Sequence, residues 1–262
     1  MVRPWRSLFG ILPSLWLRLT NGLAREEGWY AGGVNPTGYR ELPAPGLACA
    51  WTAALPADAE PFTQRVVPDG CVDVMWSPSG ILVAGPDTGP IPAVMPPGHT
   101  VAAVRFGPGT APPVLGVPAD AIRDARLPLR DLWGDEADRL ADAVAAADDP
   151  LGTLVAAVRA RIRPADPIVP AVLAGLAGGS VRDVADDLGL SERQLRRRSL
   201  AAFGYGPKTL QRVLRFQRAL ALARAGEPLA GAAFAAGYAD QAHFAHEVRD
   251  LAGEPVRKLL AA

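Results

Sequence analysis

Between Leu188 and Arg224 nine basic side chains (Arg193, Arg196, Arg197, Arg198, Lys208, Arg212, Arg215, Arg218 and Arg224) stand against one acid, Glu192. A solvated helical face mixes charge signs at helical spacing, so a run this one-sided reads as the footprint of a polyanion. Arginine can pair in bidentate fashion with a guanine edge or neutralise a phosphate, which points to nucleic acid. The chain as a whole is neutral, yet residues 151–262 hold sixteen Lys/Arg against ten Asp/Glu while residues 1–150 hold eleven against seventeen.

Other reactive side chains are few. Cys71 beside Asp69 and Asp73 could be a redox sensor, a metal ligand or an alkyl acceptor; the plainer reading is a strand cysteine in the core. His243 and His246 are three apart on a helical stretch, but no third ligand stands at metal spacing, so DNA contact or helix surface is the expected role. His99 is the only earlier histidine, too few for a cupin-type metal enzyme, and the Gly107-Pro108-Gly109 turn lacks phosphate-loop spacing. No nucleophile elbow is present. The expectation is a non-enzyme with no catalytic, cofactor or metal site.

The elements that must position the arginines are legible in the spacing. Ser180 can cap a helix whose buried side is Val181, Val184 and Leu188, with Ala185 small where two helices cross. Gly189 turns the chain, Leu190 packs beneath, Ser191 caps a second helix and Leu195 anchors it. Arg193, Gln194, Arg196 and Arg197 then project outward, as a recognition helix requires. A second such unit runs over 229–252, with Ala232 and Ala233 small, Gly237 the turn, Tyr238 beneath it, Asp240 the cap, and Phe244 and Val248 inward. It leaves Gln241, Ala242, His243, His246 and Arg249 outside. One long helix from Pro207 joins the units and carries Lys208 and Arg212 as further DNA-facing candidates.

Ahead of this lies different grammar. Gly/Pro-rich text with short β-type runs at 47–55, 64–67, 71–76, 81–84 and 101–106 predicts hairpins that form a barrel or sandwich. Residues 131–163 show an approximate helical apolar stripe, read as a helical extension or dimerisation element, and Pro164, Pro167 and Pro170 mark a linker. The fold class is therefore α+β, divided as a poorly ordered leader (1–38), a β-rich domain (39–130) that the resemblance given below makes sensor-like, a helical extension and linker (131–165) and an all-α DNA-binding domain (166–262). The apolar run 8–19 is broken by Gly10, Pro13 and Arg18 and is too short to span a bilayer. Two cysteines, too few for a disulfide scaffold, suit a reducing cytoplasm.

Residues 168–260 resemble the AraC/XylS family, most specifically in Gly237-Tyr238-Ala239-Asp240-Gln241-Ala242-His243-Phe244 with Arg249 and Gly253 beyond. The resemblance implies a transcription regulator of double-stranded DNA. It sets Arg193, Arg196 and Arg197 where first-helix contacts lie, and Gln241, Ala242 and His246 where second-helix contacts lie. Ser199 stands where the family usually has a buried aromatic, and His246 where Arg is frequent. The front half resembles a sensor-like domain found ahead of such DNA-binding domains, through residues 67–76, 84–86 and 104–109. That leaves a small-molecule effector, a homodimer and RNA polymerase open as partners. The alternative is a redox- or alkylation-responsive regulator acting through Cys71.

Overall fold

The computed structural model describes residues 37–261, so the expected leader lies outside them except for its last two residues. Eight strands come first: β1 Arg40–Leu42, β2 Cys49–Ala54, β3 Phe62–Val66, β4 Val72–Ser77, β5 Gly80–Ala84, β6 Ile91–Met95, β7 Thr100–Phe106 and β8 Arg126–Pro128. Five coincide with the expected runs. β1 and β8 are three residues long, too short for a periodic signal, and Pro92 breaks the strand pattern of β6.

Six strands form one antiparallel sheet in the order β1-β2-β7-β4-β5-β8, and β3 pairs with β6 as a separate ribbon. The sheet is not closed into a barrel; β1 and β8 remain its edges, and the arrangement is sandwich-like. Register sorts the side chains. The pairings Ala50↔Val104, Val74↔Val104 and Val74↔Val83 place these four on one face, where Phe106, Ile81 and Val72 join the main core. The pairings Trp51↔Ala103 and Met75↔Ala103 define the opposite face, which looks toward the ribbon through Met95.

Helix α1 Pro112–Leu115 lies between β7 and β8, and α2 Arg130–Trp133, α3 Asp135–Ala145 and α4 Pro150–Ala160 follow β8. Val144 of α3 and Leu154 and Val158 of α4 are fully buried in the same core as the sheet. Each such burial contributes roughly 1.5–3 kcal/mol. The stripe read from sequence as an extension or dimerisation element is thus spent inside the chain, because an open sheet must cover its second apolar face.

The remaining helices are α5 Ile168–Leu176, α6 Val181–Asp187, α7 Glu192–Phe203, α8 Pro207–Arg224, α9 Leu229–Ala236, α10 Gln241–Ala252 and α11 Val256–Ala261. They build two cores. One gathers Val172, Val184, Leu195 and Phe203 around the first turns of α8, and the other gathers Ala233, Phe244 and Val248 around its last turns. Leu210 and Val213 serve the first core, and Phe216, Ala219 and Leu220 the second, so one helix spans both.

Candidate nucleic-acid interface

Local chemistry sets both helix starts of the first unit. Ser180 Oγ accepts from Asp183 N at 3.1 Å, and Asp183 accepts from Ser180 N at 3.0 Å; Ser191 and Gln194 repeat the exchange at 3.3 and 2.9 Å. These reciprocal caps satisfy amide donors that a helix start otherwise leaves open. Gly189 between the helices has φ +62° and Gly237 in the second unit φ +89°, left-handed backbone that a side chain would strain.

With Leu195, Ser199, Ala202 and Phe203 buried, the other side of α7 exposes Arg193, Arg196 and Arg197. Among the described residues none of the three makes a hydrogen bond or ion pair within the protein. Gln194 is exposed as well, but its Oε1 accepts from both Ser191 N and Ser191 Oγ, which leaves only its amide N–H pair for DNA. Replacing Ser191 by alanine is expected to cost about 1 kcal/mol of helix stability and to weaken DNA binding in step, read by thermal unfolding beside a binding titration.

In the second unit Asp240 caps α10 by accepting from His243 N at 2.7 Å, and Phe244 and Val248 are fully buried. Gln241, Ala242, His243, His246 and Arg249 all lie on the exposed side. His243 packs edge-on against Tyr238 at 5.2 Å between centroids, and His246 Nε2 lies 3.8 Å from Asp250 Oδ2. Lys208 near the start of α8 is exposed and unpaired among the described residues.

Arg212 is the departure from the expected set. Its guanidinium donates to Glu247 at 3.0 and 3.1 Å and reaches Asp250 at 3.4 Å, while Arg215 donates to the same Glu247 at 3.0 Å and stacks over Tyr238 at 4.3 Å. Arg198 is similarly held by Asp166. The one-sided charge run is therefore partly neutralised by acids 32 to 38 positions away, which no local window contains. Burial pushes the Glu247 carboxyl up, but the hydrogen bonds from Arg212 and Arg215 outweigh it and hold the group below its usual 4.5.

The end of α7 is fastened to the front domain. Tyr205 donates its buried hydroxyl to the Asp87 carbonyl, Arg123 donates to the Gly204 carbonyl at 3.1 Å, and Gln217 of α8 donates to the Pro68 carbonyl at 2.6 Å. A Cβ on Gly109 would stand 2.8 Å from both Phe203 and Val169, so the Gly107-Pro108-Gly109 turn is pressed into the first core. These contacts lie outside the motif pattern and carry no sequence signal.

Cys71 immediately precedes β4, with its amide donating to Asp69 at 2.8 Å. Burial and the neighbouring Asp69 push its thiol well above 9.0, and burial pushes Cys49 up to about 12. Neither environment favours the thiolate that a reactive cysteine needs.

Two recognition helices on one connecting helix, with free arginines on the first, define a DNA-binding regulator. Residues 184–262 match the family described as a helix-turn-helix domain, and residues 42–128 match the family described as a domain of unknown function, DUF6597. Residues 184–262 are accordingly a helix-turn-helix domain of the AraC type, with a DUF6597 domain ahead of it. No curated protein matches it. Among solved structures it is similar to ToxT from Vibrio cholerae, at 9% identity and TM-score 0.43 over 85% of this chain and 96% of that one. ToxT bound to (E)-4-(8-methylnaphthalen-1-yl)but-3-enoic acid gives 10% and 0.45 over 85% and 98%, and unsaturated fatty acid bound ToxT 10% and 0.43 over 80% and 93%. At these scores the likeness transfers nothing to this chain. No helix among the described residues is long and apolar enough to cross a membrane.

Proposed function

We propose that this regulator recognises specific duplex sequences by laying α7 and α10 in the major groove, with α7 carrying most of the discrimination, and that the front domain modulates the outcome. The observation that supports this best is the exposed, unpaired triplet Arg193, Arg196 and Arg197 on a helix whose far end is held by the front domain. Gln194, Gln241, Ala242, His243 and His246 complete the base-facing surface, and Lys208 and Arg249 act on phosphates. Arg212 acts indirectly, by holding α10 to α8. RNA polymerase and a second copy of the chain are the further partners of such a regulator, and the second copy would need a surface other than the buried stripe of α3 and α4.

Both helical cores lie almost wholly after residue 165, which supports DNA binding by residues 166–262 alone. The test is a gel-shift salt series on the full chain and on that fragment. Affinity is expected to fall steeply with salt, with a log–log slope of about −0.9 per phosphate neutralised. Lys208→Ala is expected to weaken all sequences alike and to reduce that slope by about one. A salt-independent affinity in a folded protein would remove the proposal.

A further inference from the structure

The face of the sheet turned away from the main core forms the floor of a hollow. Its centre is built from small side chains, Cys49 and Ala53, both buried, and the ribbon of β3 and β6 forms the opposite wall. The hollow runs on toward α5 and α8, with a total volume of about 2860 Å³. At the sheet end the Tyr39 and Trp51 rings stand 5.5 Å apart between centroids, tilted by 40°, and Met75 and Met95 pack beside them. Aromatic faces and thioethers beside missing side-chain volume form a receptacle for a flat apolar group.

Charge decides what that group carries. Glu41, Asp69 and Asp73 border the hollow against Arg105. Arg105 is already committed: it donates to both oxygens of Asp73 at 2.9 Å and lies 3.8 Å from Glu41. The next guanidinium on this face, Arg126, is paired in the same two-pronged way with the nearly buried Asp87. Asp69 accepts one hydrogen bond, from Cys71 N, and has no cation of its own among the described residues. Arg105 and Arg126 thus answer Glu41, Asp69, Asp73 and the adjoining Asp87 at this end, while Arg65 on the ribbon wall lies 3.6 Å from Glu254 and Arg218 of α8 borders the far end of the hollow. An incoming anion would meet Glu41, Asp69 and Asp73 with no free guanidinium beside them to receive it, whereas a cation would find π faces and surplus carboxylate together.

We propose that this hollow binds a planar organic monocation, with Trp51 and Tyr39 taking its ring system and the charge lying toward Asp69 and Glu41. The proposal deepens the reading of the front domain as a sensor and rests on it for its regulatory meaning only. The same charge pattern makes an aromatic or aliphatic carboxylate the disfavoured ligand.

The experiment titrates the full chain with two probes of one ring system and opposite charge, pyrenylmethyl-trimethylammonium and pyrenesulfonate, followed by pyrene and tryptophan fluorescence. The cation is expected to saturate at one per chain and to bind at least about ten-fold more tightly than the anion, the scale of one desolvated cation–π or charge contact. Asp69→Asn keeps the oxygen that accepts from Cys71 N, and Glu41→Gln keeps an acceptor for Tyr39; each is expected to weaken the cation by about three- to ten-fold. Trp51→Leu should weaken it further, and Trp51→Phe, which retains a ring, less. Thermal unfolding of every variant separates lost binding from lost fold. Equal or tighter binding of the anion, no binding of the cation, or cation binding indifferent to Asp69→Asn and Trp51→Leu would overturn the proposal. DNA affinity measured with the cation bound distinguishes the two readings: a bound cation that leaves DNA affinity unchanged retains the site and removes the sensing role.

Discussion

Replacing Glu247 by alanine is expected to destabilise the DNA-binding domain by about 3 kcal/mol, the low end for breaking a buried ion pair. The Glu247 side chain is 7% exposed and receives hydrogen bonds from both Arg212 and Arg215. Its loss would strand Arg215, 27% exposed, beside Tyr238, while Arg212, 43% exposed, can return to water, which is why the upper end of the range is not expected. Because this network ties α8 to α10, DNA binding should fall with stability although no DNA contact is removed. The pH dependence has a definite sign. The carboxyl titrates below its usual 4.5 when folded, so its contribution is present above that pH and is lost as pH falls through the folded value. Thermal unfolding between pH 3 and 7 should therefore show a steeper acid limb for the parent than for Glu247→Gln. Equal acid limbs, or an alanine variant as stable as the parent, would show that the network contributes nothing.

The second large effect is on recognition. Replacing Arg197 by alanine is expected to cost roughly 1–3 kcal/mol of specific binding and to relax preference at one base pair, the consequence of losing a bidentate base contact. Arg197 is exposed and unpaired among the described residues, so its full donor set is available. His246→Ala should cost less. The His246 imidazole lies near the Asp250 carboxylate, which competes with a phosphate for it, and Ala242 beside it offers DNA no hydrogen bond. Titrating both variants against matched and single-mismatch duplexes decides the ranking. Greater loss of discrimination in His246→Ala than in Arg197→Ala would invert the division of labour between the helices.

How much of this was legible beforehand follows from the range of each interaction. The two reading units were, because their signals are local: Ser180, Ser191 and Asp240 cap amides three residues on, Gly189 and Gly237 supply the left-handed turns, and the buried side chains recur at helical spacing. The exposed arginines of α7 follow from the same periodicity. Most strands were legible for a similar reason, since alternation over five or more residues is a short-range pattern, while β1 and β8 are too short to display one. Tertiary structure alone decided the rest. It turned the stripe on α3 and α4 onto the sheet, left that sheet open, gave Arg212 and Arg215 to a carboxylate more than thirty positions away, and pressed the end of α7 against the front domain. It also gathered Glu41, Asp69, Asp73 and Arg105 from strands and loops far apart in the chain. Local propensity records what a residue can do, but which distant partner satisfies a buried charge or an apolar face depends on how strands are ordered and helices laid down, and that order is set by the packing of the whole chain.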